Sequence, residues 1–323
     1  MKCIIYGSGG VGGYYGGCLQ RADHEVSFIA RGDHLQAMKK GGLEVRSHLG
    51  CFRLDKVRVN SSHDPAFEAD LIIVAVKAWQ LESITKELAS MCTENTLILP
   101  LLNGVDAAEL IGRDVEKERV LGGLTRIFSR IETPGVINHF AGSTLIRFGE
   151  LSESIERSFQ EEIDISKRCR ELEQILDAVP GIDAEASPEI KEDLWRKAML
   201  FVPLSACGSV TRTPIGTFRE IPETRQILDA TILEVVSIGK AQGVNLTEED
   251  YNWAIKTIGS VAPDSTSSLQ RDIIEGRPSE LHAIHGNLLR RAEESKVDAP
   301  NLRFLYNALI PSEAIARGDI ISP

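Results

Sequence analysis

Short apolar runs alternate with helical stretches along the first half of the chain. Runs of strand length lie at Lys2–Tyr6, Glu25–Ala30, Leu71–Val76 and Thr96–Leu99. Helical patterns follow them over residues 11–21, 33–40 and 80–89 and from residue 106 onward, and Asp33 is expected to cap the second helix. Strands that are apolar on both faces and separated by helices indicate a parallel sheet covered by helices on both sides.

Less regular patterns complete the first half. Short strands are predicted over residues 43–47 and 52–59. Further strands between Val120 and Phe148 are expected to close the sheet, because this stretch is rich in Thr, Gly, Ile and Phe. A charged amphipathic helix is predicted from Ile155 to Val179.

The pattern changes near residue 186. Ser187-Pro188-Glu189 combines a capping residue, a first-turn proline and an acid, which is typical of a helix start. Thr247 and Asp250 form another capping pattern, and strand patterns nearly vanish. We therefore predict an α/β protein with a Rossmann-type parallel-sheet domain over residues 1–186 and an all-helical domain over residues 187–323.

Charge and cysteine usage exclude several functional classes. The formal net charge of −11 argues against nucleic acid or an anionic membrane as a partner. No apolar run approaches the ~20 residues of a membrane helix, and the chain opens without a secretory signal pattern. The six cysteines are scattered without a C-x-x-C pair, and no histidine–carboxylate cluster suggests a metal. These features predict a reduced, cytoplasmic protein with no metal site.

The first candidate site is a glycine-rich string that reads Gly7-Ser8-Gly9-Gly10-Val11-Gly12. It follows an apolar strand and opens a helix, which is the context of a dinucleotide-binding loop. Gly7 allows a tight turn, Gly9 lets the backbone approach a pyrophosphate, and Gly12 allows close packing of helix on strand. The helix N-terminus then presents N–H groups to the phosphates. The alternative is a glycine-rich turn without a ligand.

The end of the second strand indicates which dinucleotide is bound. NAD enzymes usually carry an acid there for the ribose hydroxyls, whereas this chain has Arg31. A guanidinium can pair with a 2′-phosphate, so we expect NADP(H). The alternative is a solvated surface arginine.

Five further motifs, taken together, carry a family resemblance. They are Val76-Lys77-Ala78-Trp79-Gln80, Leu102-Asn103-Gly104-Val105, Trp195-Arg196-Lys197, Ser268-Leu269-Gln270-Arg271-Asp272 and Gly276-Arg277-Pro278-Ser279-Glu280. In this order and spacing, and with the glycine loop and Arg31, the chain resembles the ketopantoate reductase family (2-dehydropantoate 2-reductases) over essentially its whole length. The combination is specific, although each motif alone is not.

The resemblance implies an activity and a set of site residues. Members of the family reduce ketopantoate to pantoate with NADPH, for pantothenate and coenzyme A synthesis, in a cleft between a Rossmann domain and a helical domain. By motif, Lys197 matches the catalytic lysine. Lys77 and Asn103 match residues at the cofactor, and Asn103 also lies near the reacting carbonyl. Ser268 matches a residue that holds the substrate, and Glu280 matches an acid that contacts the cofactor.

The chemistry of these residues suits the implied roles. Lys77 and Asn103 follow parallel strands, whose carboxyl ends bind ligands in open α/β sheets. The ammonium group of Lys197 can stabilise the oxyanion that develops as a hydride reaches a ketone, and it can donate the proton. The alternatives are a helix-surface lysine for Lys197, a solvated acid for Glu280 and a helix cap for Ser268.

The chain departs from the family pattern where the substrate is expected to bind. Polar family residues, mostly asparagines, are replaced by Phe201, Ser205, Ser265, His282 and His285. Ser205 keeps a hydroxyl and is assigned to the substrate. Phe201 makes one wall more apolar, unless it only packs in the core. Losing designed hydrogen bonds can change substrate discrimination by orders of magnitude.

Three functions are therefore weighed. The first is NADPH-dependent reduction of ketopantoate. The second is an NADP-dependent reductase of the same family acting on a different 2-keto acid or a bulkier ketone. The third is a non-catalytic NADP-binding sensor, and the joint presence of Lys197, Asn103, Ser268 and Glu280 argues against it. A small 2-keto acid is the expected partner, and the sequence leaves a homodimer open.

Overall fold

The structure is a computed structural model that describes residues 1–151 and 165–320. It divides into two compact units, one up to Ile190 and the other from Lys191 onward. The predicted fold class is confirmed, because the first unit is built on a parallel sheet and the described part of the second contains helices and no strand.

The parallel sheet of the first unit has five strands. They are β1 (Lys2–Tyr6), β2 (Glu25–Ile29), β5 (Arg58–Asn60), β6 (Leu71–Val74) and β7 (Leu97–Pro100). Their spatial order is β5-β2-β1-β6-β7, and every neighbouring pair is parallel. Successive residues of β1 point to opposite faces, so that Ile5 and Ile4 belong to two separate buried cores. This explains why the strands are apolar without alternation.

Helices connect these strands. They are α1 (Gly10–Arg21), α2 (Gly32–Gly41), α3 (Thr85–Met91) and α4 (Ala107–Ile111), with 3-10 turns at Ala78–Ser83 and Lys117–Arg119. The expectation that Asp33 caps α2 is wrong. Arg31 occupies the N-cap position without a side-chain cap bond, and Asp33 lies in the first turn, where its charge suits the helix dipole.

A second, mixed sheet completes the first unit. Its strands are β3 (Leu43–Ser47), β4 (Phe52–Leu54), β8 (Leu121–Thr133), β9 (Val136–Glu150) and β10 (Asp183–Ala186). The order is β10-β9-β3-β4, with β8 antiparallel to β9. Of the stretch expected to close the first sheet, Val120 forms an isolated parallel bridge to Ile98 of β7. The remainder of that prediction is wrong, since β8 and β9 pair as a long hairpin whose tight turn contains Gly135 at φ +83°. Strand β10 was not predicted.

The charged helix predicted from Ile155 to Val179 is observed in part. Helix α5 covers Lys167–Asp177, and residues 155–164 of the prediction lie outside the described residues.

The second unit consists of helices. They are α6 (Ile190–Thr211), α7 (Ile215–Glu220), α8 (Pro222–Ala241), α9 (Glu248–Ser260), α10 (Ser268–Ile274), α11 (Asn287–Glu294) and α12 (Pro300–Arg317), with a π-helical turn at His282–Gly286. The predicted cap at Thr247 is confirmed, because its side chain and that of Asp250 form a capping box. The Ser187 hydroxyl accepts a hydrogen bond from the N–H of Glu189, and α6 begins just beyond.

Within residues 1–151 and 165–320, no helix combines the length and apolar character needed to cross a membrane. The same part of the chain contains no group of three His, Cys, Asp or Glu side chains that could hold a metal ion.

Candidate active site

In the first unit, the predicted cofactor residues all follow strands of the parallel sheet. The glycine loop follows β1, Arg31 follows β2, Lys77 follows β6 and Asn103 follows β7. Parallel strands have their carboxyl ends at one edge, where open α/β sheets bind ligands. The order β2-β1-β6-β7 spreads the four positions over three strand spacings of about 4.8 Å each. A ligand that contacts all of them must be elongated along this edge.

The start of the glycine loop is tied to the end of β2. Gly7 has φ +97°, a left-handed conformation that favours glycine. The N–H groups of Gly7 and Ser8 donate to the carbonyl of Ile29 at 3.2 and 3.1 Å. The hydroxyl of Ser8 donates to the same oxygen at 2.9 Å. Three hydrogen bonds to one carbonyl fix the path of the chain into α1.

The other glycines of the loop differ in the space around them. A Cβ atom on Gly12 would lie 2.1 Å from the oxygen of Gly7, and one on Gly10 would lie 2.4 Å from the oxygen of Ser129. A Cβ atom on Gly9 would meet no atom of residues 1–151 and 165–320 within 4 Å. Gly9 is the N-cap of α1, so this open space adjoins the unpaired N–H groups of the first helical turn. The loop therefore fits a phosphate group.

Arg31 lies beside two residues that the sequence analysis missed. The phenol of Tyr6 donates a hydrogen bond to the carboxylate of Glu87. Burial and this hydrogen bond raise the pKa of Tyr6, and the nearby Arg31 guanidinium acts in the opposite direction. Arg31 itself is exposed. The signal in the sequence was a tyrosine that follows two buried isoleucines at the end of β1, directly before Gly7.

Lys77 and Asn103 lie three residues beyond the ends of their strands, in turns. The N–H of Lys77 donates to Oε1 of Gln80 at 3.2 Å, and its carbonyl accepts the N–H of Gln80 at 2.8 Å. Asn103 precedes Gly104, whose φ is +106°. Both side chains are partly buried. The turn at Lys77 is therefore fixed by its hydrogen bonds with Gln80, and the turn at Asn103 by the left-handed conformation of Gly104.

In the second unit, Lys197, Phe201 and Ser205 follow one another at intervals of four residues on α6. This spacing places them on one face of the helix. Lys197 is partly buried. Its neighbour Arg196 forms ion pairs with Asp250 at 2.7 Å and with Asp193 at 3.3 Å. The ion pair with Asp250 attaches this turn of α6 to the start of α9, whereas Asp193 lies on α6 itself.

Ser205 and His285 form a buried polar pair. The Ser205 hydroxyl donates to the carbonyl of Val202 at 3.1 Å. Nε2 of His285 lies 3.1 Å from that carbonyl and 3.1 Å from the Ser205 oxygen. A carbonyl only accepts hydrogen bonds, so Nε2 carries the proton. Nδ1 is then an acceptor, and it has no hydrogen-bond partner in the described part of the chain.

This pair affects how the altered family positions can be interpreted. Ser205 and His285 are both fully buried and are bonded to each other. Phe201 packs against an apolar cluster formed by Leu269, Ile273, Leu281 and Leu309. This packing agrees with the alternative that Phe201 is a core residue. The role of Ser205 toward a substrate stays a prediction.

We expect His285 to make the stability of the protein depend on pH. Burial lowers its pKa from 6.5 to about 4. Between these values the unfolded chain binds a proton that the folded protein does not. The free energy of unfolding therefore decreases as the pH falls below 6.5, and at pH 5 the contribution of His285 has decreased by about 2 kcal/mol. In urea unfolding at pH 7 and pH 5, His285→Asn should lose less stability on acidification than the parent.

The control for this experiment is His282→Asn, in the same π-helical turn. His282 is exposed, and its Nδ1 lies 2.7 Å from the Tyr306 hydroxyl. This variant should show the full pH dependence of the parent. An unchanged pH dependence in His285→Asn would contradict the assignment of the effect to His285.

Two alternatives raised by the sequence are wrong. Ser267, not Ser268, caps α10, because its hydroxyl accepts the N–H of Gln270 at 3.0 Å. Ser268 is the first helical residue and is partly buried. Glu280 is not a solvated acid, since only 5% of it is exposed. Its carbonyl accepts the N–H of Ile284 at 3.0 Å.

Both halves of the chain match models of one family. The model described as ketopantoate reductase PanE/ApbA matches residues 3–153. The model described as ketopantoate reductase PanE/ApbA C terminal matches residues 189–313. Together they account for most of the 323 residues.

Full-length relatives agree with this match. The uncharacterized oxidoreductase YkpB of Bacillus subtilis is 29% identical over 316 residues, which are 97% of this chain and 99% of that protein. A 2-dehydropantoate 2-reductase of Nostoc is 26% identical over 308 residues, 95% of this chain and 94% of its own length. The solved PanE/ApbA family ketopantoate reductase of Ralstonia eutropha JMP134 has a TM-score of 0.85 and 27% identity, and the match covers 98% of this chain and 100% of that one. The chain therefore belongs to the ketopantoate reductase family, a family of oxidoreductases that use NADP(H).

Proposed function

We propose that this protein reduces ketopantoate to pantoate with NADPH. The observation that carries the proposal is the placement of the glycine loop, Arg31, Lys77 and Asn103 along one edge of the parallel sheet. A sensor for the dinucleotide would need the loop and Arg31 only. We further propose that residues 1–186 bind the cofactor and that residues 187–323 supply the catalytic lysine. A homodimer and a cytoplasmic location stay predictions.

Each residue has a defined task in this proposal. The N-terminus of α1 and the glycine loop hold the pyrophosphate, and Arg31 pairs with the 2′-phosphate. Lys77 and Glu280 also contact the cofactor. NADPH, when bound, supplies a hydride. Lys197 stabilises the negative charge that develops on the ketone oxygen and donates the proton that completes the alcohol. The amide of Asn103 donates a hydrogen bond to the same oxygen, and Ser268 holds the substrate.

A reductase for a different 2-keto acid is the second candidate. The Ser205–His285 pair and the packing of Phe201 favour this second candidate. The family has asparagines at these three positions, whereas here the side chains contact neighbours within the second unit. A substrate with a larger or less polar group beside the ketone would need fewer hydrogen bonds from this face.

Oxidation of NADPH, followed by its absorbance, distinguishes the two candidates. Ketopantoate should react with a KM below about 1 mM and a kcat above about 1 s⁻¹ if it is the substrate. Pyruvate, branched aliphatic 2-keto acids and an aromatic 2-keto acid form the comparison panel. Binding of NADPH without ketopantoate turnover would reject the first candidate. In that case Phe201→Asn should raise activity toward ketopantoate and lower activity toward the bulkier ketone.

We expect Gly9→Ala to separate cofactor binding from stability. The added methyl group would enter open space, so the free energy of unfolding should change by less than about 1 kcal/mol. The same methyl group would stand where the pyrophosphate approaches, so the Kd of NADPH should rise about ten-fold or more. Thermal unfolding and a fluorescence titration with NADPH measure the two quantities.

Gly12→Ala is the contrasting variant. Its Cβ atom would lie 2.1 Å from the Gly7 oxygen, and it should cost more than about 2 kcal/mol of stability. If Gly9→Ala instead binds NADPH as tightly as the parent, the loop does not hold the pyrophosphate.

A further inference from the structure

A carboxylate is buried at the end of the second unit's last helix. Glu313 of α12 is fully buried. Its two oxygens accept the N–H of Ser279 at 3.1 and 3.2 Å. One of them also accepts the Ser279 hydroxyl, and the other accepts Nε of Arg317 at 2.7 Å. All of these partners belong to the Ser279 position or to the next turn of α12.

Arg317 completes a clamp around the same serine. Its guanidinium donates to the carbonyl of Ser279 at 2.8 Å. The N–H, the hydroxyl and the carbonyl of Ser279 are thus all bound by two residues of one helix, one turn apart. The hydroxyl oxygen also accepts the N–H of Leu281 at 3.1 Å. The backbone on both sides of Glu280 is therefore held in one conformation.

Stability alone does not explain this arrangement. A buried carboxylate is costly unless it is paired and hydrogen-bonded, and apolar residues of similar volume often stabilise a protein as well or better. What the clamp adds is a defined geometry. Because Glu280 follows Ser279 directly, a rotation of the Ser279 backbone would swing the Glu280 side chain away from its place.

We propose that Glu313, together with Arg317, is a positioning residue that holds Glu280 in the orientation in which it contacts NADPH. The inference rests on the proposed function, which assigns Glu280 to the cofactor. It adds two residues that lie outside every motif of the sequence analysis. Neither needs to contact the cofactor.

The direct test is Glu313→Gln. The amide would place a donor opposite the N–H of Ser279 or opposite Arg317, so the clamp would loosen at unchanged side-chain volume. The Kd of NADPH, measured by fluorescence titration without substrate, should rise about ten-fold. A merely structural carboxylate would lower the unfolding temperature and leave this Kd unchanged.

The chain offers a matched control in Glu234→Gln. Glu234 is also buried, and it accepts the N–H groups of Asn301 and Leu302 at 2.9 and 2.8 Å, at the other end of α12. The same chemical change, made on α8 at a carboxylate that holds the other end of α12, should destabilise the protein and keep the Kd of NADPH within about two-fold. An equal rise of the Kd in both variants would mean that general loosening is responsible, and it would overturn the proposal.

A double-mutant cycle with Glu280→Ala shows whether Glu313 acts through Glu280. If it does, Glu313→Gln weakens NADPH binding in the parent and has no further effect in the Glu280→Ala background. An independent effect in that background overturns the inference. If Glu280→Ala weakens NADPH binding and Glu313→Gln does not, the inference about Glu313 is wrong while the role proposed for Glu280 stands. If Glu280→Ala binds NADPH like the parent, the role proposed for Glu280 is wrong and that of Glu313 falls with it.

Should Glu313→Gln fail to fold, Arg317→Lys carries the test. The Arg317 side chain is 24% exposed, so its replacement disturbs the core less. Lysine keeps the charge but cannot bridge Glu313 and the Ser279 carbonyl in the same way. The Kd of NADPH should rise about three-fold or more, and an unchanged Kd in this folded variant would overturn the proposal.

Discussion

Lys197→Ala is expected to lower kcat by about 100-fold or more while the Kd of NADPH stays within about three-fold. In the proposed mechanism Lys197 acts on the ketone oxygen and not on the cofactor. Its ammonium group matters most when negative charge develops on that oxygen, and an interaction made only in the transition state lowers kcat when it is removed. Steady-state kinetics and a separate NADPH titration measure the two quantities.

Lys191→Ala provides the matched control. Lys191 lies on the same helix and is also partly buried, but its Nζ donates to the carbonyl of Gln242 at 3.2 Å. This variant should keep the turnover of the parent. A Lys197→Ala variant with near-normal kcat would remove Lys197 from catalysis. A large loss of NADPH affinity would instead place Lys197 at the cofactor.

Sequence patterns predicted those elements of the fold whose conformation depends on residues adjacent in the chain. Strand β1, the glycine loop and α1 were predicted together because buried strands, glycine conformations and helix starts each depend on a few neighbouring residues. The alignment of Arg31, Lys77 and Asn103 at one sheet edge followed from a general property of parallel sheets, and not from their spacing along the chain.

Features that depend on distant partners were missed. The long hairpin of β8 and β9 and the short β10 belong to a second sheet, whose pairing no local pattern specifies. The clamp of Glu313 on Ser279 joins α12 to the segment between α10 and the π-helical turn, 34 residues earlier in the chain. The Glu–Arg pair at positions 313 and 317 was visible as an (i, i+4) pattern, but on a helix surface such pairs contribute little. The burial of Glu313 and the hydrogen bonds to Ser279 support the positioning role that we propose for this pair.

The altered substrate positions show a further limit. The sequence identified Ser205 and His285 as departures from the family, and each was considered alone. In the structure Ser205 and His285 are hydrogen-bonded to each other. Each of the two replacements therefore provides the buried hydrogen-bond partner of the other. An apolar substitution at either position alone would leave a buried polar group without its partner, so a change to apolar residues should be made at both positions together.

The second large effect is expected at Arg31. In Arg31→Ala the Kd of NADPH should rise about 10- to 100-fold, whereas the Kd of NADH should change by less than about three-fold. The two cofactors differ by the 2′-phosphate, so only a residue that contacts this group separates them. Arg31 is exposed beside Tyr6 and Glu87. With Arg31 removed, the Glu87 carboxylate would stand near the phosphate without a compensating cation.

Salt and a control arginine make this prediction specific. An exposed ion pair is screened by salt, so the NADPH affinity of the parent should fall with rising ionic strength more steeply than that of Arg31→Ala. Arg113→Ala removes another exposed arginine of the same unit, one that lies near Glu82 and Glu109, and should leave both dissociation constants unchanged. Equal losses for NADPH and NADH in Arg31→Ala would mean that Arg31 supports the fold of the loop, and the preference for NADPH would then need another residue.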